Sequence, residues 1–462
     1  MGSASGSRAS PNPISSSKTA AGAPARAGAS AGSPTAPTPP SKPAAAVIAN
    51  PVAAGDADAG ADGLVLVLNC GSSSIKFALF DASRTPLPRT PLWLGKVQGI
   101  GTPQATLQIA GEPVVPAPAP DTRPYHSALE AIWTHTRARL GTRTLRAVAH
   151  RVVHGGTKYF APARVDNEVL ADLRSFIPLA PLHQPFALDA MGVLLETAPG
   201  VAQVACFDTG FHHTMPQVEQ MLGLPYDAWK RGLRRYGFHG LSYEYMSVVL
   251  PERHGDIARG RVIVAHLGSG ASLCAMQDLR SQTTTMGFSA LDGLMMGTRC
   301  GALDPGAVLY LMEIEKLSLQ EVGDILYHHS GLLGVSGVSA NTPDLFARED
   351  APGEEGERVR AALALYVRRI VKEIGALVAV LGGLDMLVFT AGVGEHSVEI
   401  RKRVCAGLGF LGVRIDAAAN QAASHCISTT DSAVRIAVEP TNEEWIAATQ
   451  ALAVLAAGGP AA

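Results

Sequence analysis

Basic residues are in no excess: 38 Lys and Arg stand against 40 Asp and Glu, a formal charge of −2, and they form no basic block. Binding along a phosphate backbone needs clustered Lys and Arg, so a nucleic-acid surface is excluded. Long apolar runs are missing too. Residues 361–384 come nearest, but Arg368, Arg369, Lys372 and Glu373 interrupt them, which reads as an amphipathic helix; no run reaches the roughly 18 residues that cross a bilayer. The six cysteines (Cys70, Cys206, Cys274, Cys300, Cys405, Cys426) include no C-x-x-C pair. Neither a disulfide framework nor a zinc site is indicated, and a reducing cytoplasm fits. Aromatic residues are absent before Phe77, and residues 1–62 hold nine of the 31 prolines among Ala, Ser, Gly and Thr. Such a segment buries too little apolar area to offset chain entropy and is expected to be a disordered tail. It has no hydrophobic stretch of a secretory signal; its few acids leave an organelle transit peptide as the alternative reading. The other 462 − 62 = 400 residues exceed what one core comfortably holds, so two domains are expected.

From Leu64 the apolar pattern changes. Leu64 to Leu68 is an apolar run ending at Asn69-Cys70-Gly71; after Ser72-Ser73-Ser74, apolar residues alternate at Ile75, Phe77 and Leu79. This is strand, tight polar turn, strand. The device recurs at residues 262–276, where an apolar run enters His266-Leu267-Gly268-Ser269-Gly270-Ala271-Ser272, with Gly71 and Gly268 separated by 268 − 71 = 197 positions. Two such hairpins predict a duplicated fold with one copy per domain. Two further strands are expected to end in loops, at residues 201–207 before Asp208-Thr209-Gly210 and at 386–389 before Thr390-Ala391-Gly392-Val393-Gly394-Glu395. Helical patterns at residues 189–197, 319–328, 357–381 and 442–456 fill the gaps. The alternation argues for a two-domain α/β protein with a cleft, since ligands of open α/β sheets sit beyond strand ends.

Gly/Ser turns present backbone N–H groups and hydroxyls without bulk, which suits a phosphate chain, and Lys76 adds charge. The first turn taken singly also reads as an ordinary hairpin; the pair makes a grip on a nucleotide tail the sharper reading. Asp208 ends an apolar strand, either as a turn residue capping His212-His213 or as a carboxylate paired or bound to a cation. Thr441 with Glu444 reads as a capping box, which accounts for Glu444 but not for Glu443. Arg151 and Arg299 have glycine neighbours that allow close approach to a carboxylate or phosphate, against the plainer reading of surface ion pairs. His239, in Tyr236-Gly237-Phe238-His239-Gly240, reads singly as a structural histidine. The G-x-G-x-x-G match at Gly407, Gly409 and Gly412 follows a helical stretch, not a strand, and is read as a helix C-cap and loop.

Taken together, Asn69-Cys70-Gly71-Ser72-Ser73-Ser74-Ile75-Lys76, His150-Arg151-Val152-Val153-His154-Gly155-Gly156, Ala180-Pro181-Leu182-His183, Phe207-Asp208-Thr209, Arg235-Tyr236-Gly237-Phe238-His239-Gly240, Gly293-Leu294-Met295-Met296-Gly297-Thr298-Arg299 and Pro440-Thr441-Asn442-Glu443-Glu444 give the chain a family likeness. Over residues 64–456 it resembles the acetate kinase (acetokinase) family. The resemblance implies the actin, sugar-kinase and heat-shock-chaperone ATPase superfamily: two duplicated actin-like (ribonuclease H-like) α/β domains with an interdomain cleft, usually in a homodimer. It implies a first domain at 63–210 completed by a returning C-terminal helix (443–458), and a second at 211–442. It implies reversible transfer from ATP to acetate, giving ADP and acetyl phosphate, with Mg²⁺ or alternatively Mn²⁺.

Roles follow by likeness. Arg151 and Arg299 would hold the carboxylate and the transferring phosphoryl group; His239, and less directly His183, would donate to its equatorial oxygens, and Asp208 belongs to the same catalytic set. Val153, Leu182 and Phe238 would line the acyl pocket. Asn69, Asp208 and Glu443 would hold or orient the metal. Lys76, Ser72, Ser74, His266, Gly268, Ser269, Gly270, Asn341, Gly392, Val393 and Gly394 would bind the nucleotide. There are departures. H-L-G-N-G has Ser269 for the amide, the adenosine-side S-S-D-x-R-D becomes Ser339-Ala340-Asn341-Thr342-Pro343-Asp344, G-F-H-G-T-S-H ends in Leu241-Ser242-Tyr243, G-E-N-S becomes Gly394-Glu395-His396-Ser397, and Ala290 replaces the proline of G-F-T-P-L. These put nucleotide identity and the acetate or propionate preference in question. A different phosphoryl donor and a non-catalytic nucleotide-binding module remain the competing readings.

Overall fold

A computed structural model describes residues 63–117, 123–181 and 183–458. The expected tail at 1–62 and Leu182 lie outside the described residues. Strands β1 (Gly63–Cys70), β2 (Ser74–Asp81), β3 (Trp93–Gln98), β4 (Thr106–Ile109), β5 (Val115–Pro116), β6 (Thr144–Val152), β7 (Ala163–Arg164) and β8 (Ala202–Phe207) form one sheet in the order β5-β4-β3-β2-β1-β6-β8-β7. A second holds β9 (Val262–Leu267), β10 (Ala271–Gln277), β11 (Arg280–Thr284), β12 (Met386–Thr390) and β13 (Arg435–Val438) in the order β11-β10-β9-β12-β13. Both expected hairpins are present, as β1–β2 and β9–β10.

The duplication is visible in the topology. In each sheet a three-strand antiparallel meander (β3-β2-β1 and β11-β10-β9) is continued by two parallel strands (β6-β8 and β12-β13). The middle strands β9 and β12 are buried along their whole length, and β1 nearly so. That is why they read as continuous apolar runs: parallel strands covered on both faces have no polar side to alternate with.

Side-chain alternation assigns the layers. On β1, Leu64, Leu66 and Leu68 face the helices Pro124–Leu140 and Gln184–Thr197. Val65 and Val67 join a core shared with Val262 and Val264 of β9, Met386 and Val388 of β12, and the helices Gly240–His254 and Glu443–Ala456. Ile263 and Ala265 of β9 and Leu387 and Phe389 of β12 turn the other way, onto the long helix Gly353–Leu381. Its buried residues Val359, Ala362, Leu363, Tyr366, Ile370, Ile374 and Leu377 recur at three- and four-residue steps, the stripe of an amphipathic helix, and Gly382 ends it at φ 70°. The two sheets thus enclose two helices and are each capped outside by others.

The capping-box reading of Thr441 is corrected. The last helix begins at Glu443, and Asn442 caps it by accepting from the Trp445 N–H at 3.0 Å. Thr441 is diverted to two helices, Ala391–His396, which stands where a loop was expected after β12, and Gly240–His254: its N–H donates to Glu395 Oε1 (3.1 Å) and its hydroxyl to Ser242 Oγ (2.9 Å). Glu444 falls one position short of the reciprocal bond and is left for other work. The expected helix at 319–328 is present, with a capping box from Ser318 and Glu321. The discounted glycine motif does follow a helix (Val398–Ala406), with Gly407 as its C-cap.

Candidate active site

The carboxyl ends of the parallel strands β1, β6 and β8 and of β9 and β12 converge on a cavity of about 550 Å³. The first sheet brings Asn69, Lys76, Arg151, Val153 and Asp208; the second brings His266, the Gly268-Ser269-Gly270 turn, Gly392 and Glu395. Phe238, His239, Ala290 and Arg299 come from the segments flanking β9–β11, His183 from the N-cap of the helix Gln184–Thr197, and Thr441, Glu443 and Glu444 from the start of the last helix. Ser72, Ser74, Asn341, Val393 and Gly394 do not line the cavity. Ser72 is exposed in its turn, Asn341 stands just before the helix Thr342–Phe346 and its amide donates to Asp344, and Val393 packs on the second sheet's core. Glu395 and Glu444 were not among the expected site residues. Glu444 reads in the sequence as half of a cap, and Glu395 is recognised only through its bonds to the Ala391 and Thr441 N–H groups.

Asp208 is not a turn cap. Its carboxylate accepts from Arg151 Nε (3.1 and 2.9 Å) and Nη2 (2.6 Å), a bidentate fork, while Arg151 Nη1 stands 3.5 Å from Glu443 Oε2. Burial would release the guanidinium proton; Asp208 and then Glu443 overcome this and raise the pKa of Arg151. Burial pushes the Asp208 carboxyl up against the pull of Arg151. Burial, then the Glu443 charge, also raises Glu444. Arg299 differs: Nη1 donates to the Ala290 carbonyl at 2.9 Å, no carboxylate lies within 4.0 Å among the described residues, and burial lowers its pKa.

His239 sits at φ 59°, ψ 27°, a left-handed conformation at the start of the helix Gly240–His254. Histidine tolerates this region better than most residues, and such geometry persists only where the surroundings impose it. The next residue must be glycine, because a Cβ at Gly240 would lie 2.2 Å from the Asp208 carbonyl. At Gly270 a Cβ would come within 3.2 Å of His239 Nε2 and 3.7 Å of Arg299 Nη1, so the second turn has to be bare where the two side chains approach it. His239 stacks on His266 at 4.2 Å and 16°. Burial and neighbouring positive charge hold His239 well below its ordinary value, His266 at about 3 and His183 at about 4, so all three are neutral at pH 7.

These imidazoles, with His150, His154 and His212 also held at about 4 by burial, set the acid limit of the fold. Below the ordinary value of 6.5 the unfolded chain binds protons that the folded chain refuses, so protonation favours unfolding. Stability is therefore expected to fall as pH drops from about 6.5 toward about 4. Thermal midpoints between pH 7 and 5 measure it; a flat profile contradicts the neutral, buried histidines.

For a divalent cation, Asp208, Glu443 and Asn69 supply hard oxygen donors within one cavity, and among the described residues no group of three or more His, Cys, Asp or Glu forms a protein cage. That donor set fits Mg²⁺, which binds through one or two carboxylates, water and substrate phosphates rather than in a full protein shell. Among the described residues no helix is long and apolar enough to cross a membrane.

Comparison with known proteins agrees with this geometry. The model of the Acetokinase family matches residues 64–449. The acetate kinase of Rhodopseudomonas palustris is 46% identical over 390 residues, covering 83% of this chain and 96% of that one. The crystal structure of Porphyromonas gingivalis acetate kinase superposes with a TM-score of 0.75 at 37% identity, covering 85% of this chain and 100% of that one. A propionate kinase from Francisella tularensis gives 0.76 at 32% identity, covering 84% and 98%. With the family match spanning nearly the whole described body, the chain belongs to the acetokinase family.

Proposed function

We propose that the protein is an acetate kinase, transferring the γ-phosphoryl group of ATP to acetate, reversibly and with Mg²⁺, by direct in-line displacement. The observation that carries this is the meeting of Arg299, which has no carboxylate partner among the described residues, the His239 Nε2 edge and the Arg151–Asp208–Glu443 group around a bare glycine turn. In-line phosphoryl transfer asks mainly for positioning and charge stabilisation. Acetate oxygen is ionised and nucleophilic at neutral pH, so no general base is needed.

In this reading Arg151 and Arg299 hold the carboxylate and the moving phosphoryl group. His239 donates to the equatorial oxygens, with His183 behind it. Lys76, Ser72, Ser74, His266 and the Gly268–Gly270 turn order the phosphates, and the adenosine side runs toward Asn341 and Gly392-Val393-Gly394. Asp208, Glu443 and Asn69 would hold Mg²⁺, or Mn²⁺ in its place, whose charge offsets that of the phosphates. The domain division at 63–210 with 443–458, against 211–442, belongs to the same proposal, supported by contacts of the last helix with β1, β6 and β8. A cytoplasmic homodimer completes it: the helix Pro305–Glu313 has no buried residue yet carries the exposed Leu309 and Tyr310, with Ile314 next to it. Acyl phosphate trapped as hydroxamate tests the reaction. No product with any acyl acid and either ATP or pyrophosphate overturns it; pyrophosphate enters because Pro343 and Asn341 depart from the family's adenosine-side stretch.

A second acceptor is favoured by one residue. Val153, Phe238 and Ala290 line the cavity beside Arg299, and alanine at 290 leaves more room than the family's proline. One methylene in an apolar pocket is worth about 1–3 kcal/mol. Propionate is therefore expected within about a hundredfold of acetate in kcat/KM. A wider preference for acetate closes the pocket against it.

A further inference from the structure

Ser272 ends the second glycine turn and Tyr243 stands where G-F-H-G-T-S-H has its last histidine; neither has a role in the reaction as described so far, yet both are tied to its central histidine. Tyr243 is on the helix Gly240–His254, one turn beyond His239, and Ser272 is on β10. His239 Nδ1 is 2.8 Å from Ser272 Oγ, which is 2.6 Å from the Tyr243 hydroxyl. Ser272 and Tyr243 are fully buried. Among the described residues His239 Nε2 has no hydrogen-bond partner, and it faces the cavity across Gly270.

Proton order along this chain is decided at its far end. Burial keeps the Tyr243 phenol well above its ordinary value, so the hydroxyl retains its proton. Ser272 Oγ is its one hydrogen-bond partner among the described residues. A buried O–H without an acceptor is strongly disfavoured, so Tyr243 donates to Ser272. The single Ser272 proton then goes to His239 Nδ1, which must accept, and the ring proton of the neutral imidazole resides on Nε2. The opposite order would strand the Tyr243 proton and turn a lone pair toward the cavity.

We propose that Tyr243 and Ser272 are positioning residues that fix His239 as the Nε2–H tautomer, so that a neutral imidazole presents a donor to the phosphoryl oxygens. The stacked neighbour repeats the pattern: Thr441 donates to Ser242 Oγ, which lies 2.8 Å from His266 Nδ1. The role assigned to the donor rests on the kinase reading above; the tautomer does not.

The experiment is ¹⁵N–¹H correlation of histidine-labelled full-length protein, with His239 assigned by loss of its signals in His239→Gln, alongside steady-state kinetics. The wild type is expected to show the Nε2–H pattern. The Tyr243→Phe/Ser272→Ala pair is expected to show mixed tautomers and a kcat lower by about a hundredfold, the scale of one lost transition-state donor, with KM for ATP and acetate within about threefold. Ser272→Thr, which keeps the hydroxyl, should retain both tautomer and kcat. An Nδ1–H wild type overturns the proposal even if the double variant fails to fold, as does a double variant with unchanged tautomer and rate. A wild type without kinase activity but with the Nε2–H pattern removes the kinase reading and leaves the tautomer assignment standing.

Discussion

Arg299→Ala is expected to lower kcat on the order of 10³-fold while MgADP binding stays within a few-fold of wild type. Arg299 is held by the Ala290 carbonyl and the Met296 sulfur, not by a carboxylate, so its charge is not neutralised within the cavity. An arginine left uncompensated in a partly dry cleft is complementary to charge that arrives with the substrate and spreads in the transition state. The same reasoning predicts the stability change. Removing a half-buried charge that has no carboxylate partner among the described residues relieves desolvation, so the variant should melt no lower than wild type. Stopped hydroxamate assays, calorimetric titration with MgADP and a thermal scan measure the three quantities. A kcat within tenfold of wild type moves the phosphoryl site away from Arg299.

Asp208→Ala should behave in the opposite way on stability, although it also abolishes turnover. The substitution leaves Arg151 with Glu443, 3.5 Å away, as its remaining ion pair among the described residues, and with the more distant charge of Glu444. Breaking a buried pair by removing one member costs about 3–5 kcal/mol. The Arg151 side chain is 22% exposed and keeps part of the Glu443 charge, so the loss belongs at the lower end, about 3 kcal/mol. Denaturant unfolding is expected to show it as a shifted midpoint. Turnover should fall by at least 10³-fold, because the guanidinium loses its fixed orientation as well as its counter-charge. Retained stability would mean that Arg151 re-pairs freely, and that the fork is not what holds it.

Strands and hairpins could be read from the chain because local pattern and tertiary environment agree there. Residues 64–68 and 262–265 are apolar because both faces are covered, and the glycines that follow are turns in any context. Glu444 was misread because Thr441-x-x-Glu444 is a valid local capping signal; the Glu395 carboxylate, 46 residues away in sequence, captures the Thr441 N–H, and Asn442 takes over the cap. Local statistics carry no trace of such competition. Tyr243 and Ser272 are 29 positions apart and meet only because the helix after His239 lies over β10. Arg401 is a third case: fully buried, it donates to the carbonyls of Gly394, Glu395 and Asn420 and to the Asn420 side chain, fastening the short helix Ala391–His396 that carries Gly392 and Glu395. In the sequence it is an ordinary helix-surface arginine. Residues recognisable by chemical type were found, whereas those whose importance lies in a partner's location were not.

The start of the last helix supplies Glu443 and Glu444 to a cavity whose other walls, Thr441 apart, are in place by residue 395, and the same helix covers one face of β1, β6 and β8. Translation therefore delivers the carboxylates and the cover for that face together, after all else in the site has been made. A polypeptide interrupted before residue 443 would expose Val65, Val67, Ala147 and Ala149 to solvent and also lack two of the acidic groups around Arg151. Chaperones and proteases would meet an apolar surface in the very products that cannot turn over, so unfinished chains are marked for removal by the same omission that leaves them inactive.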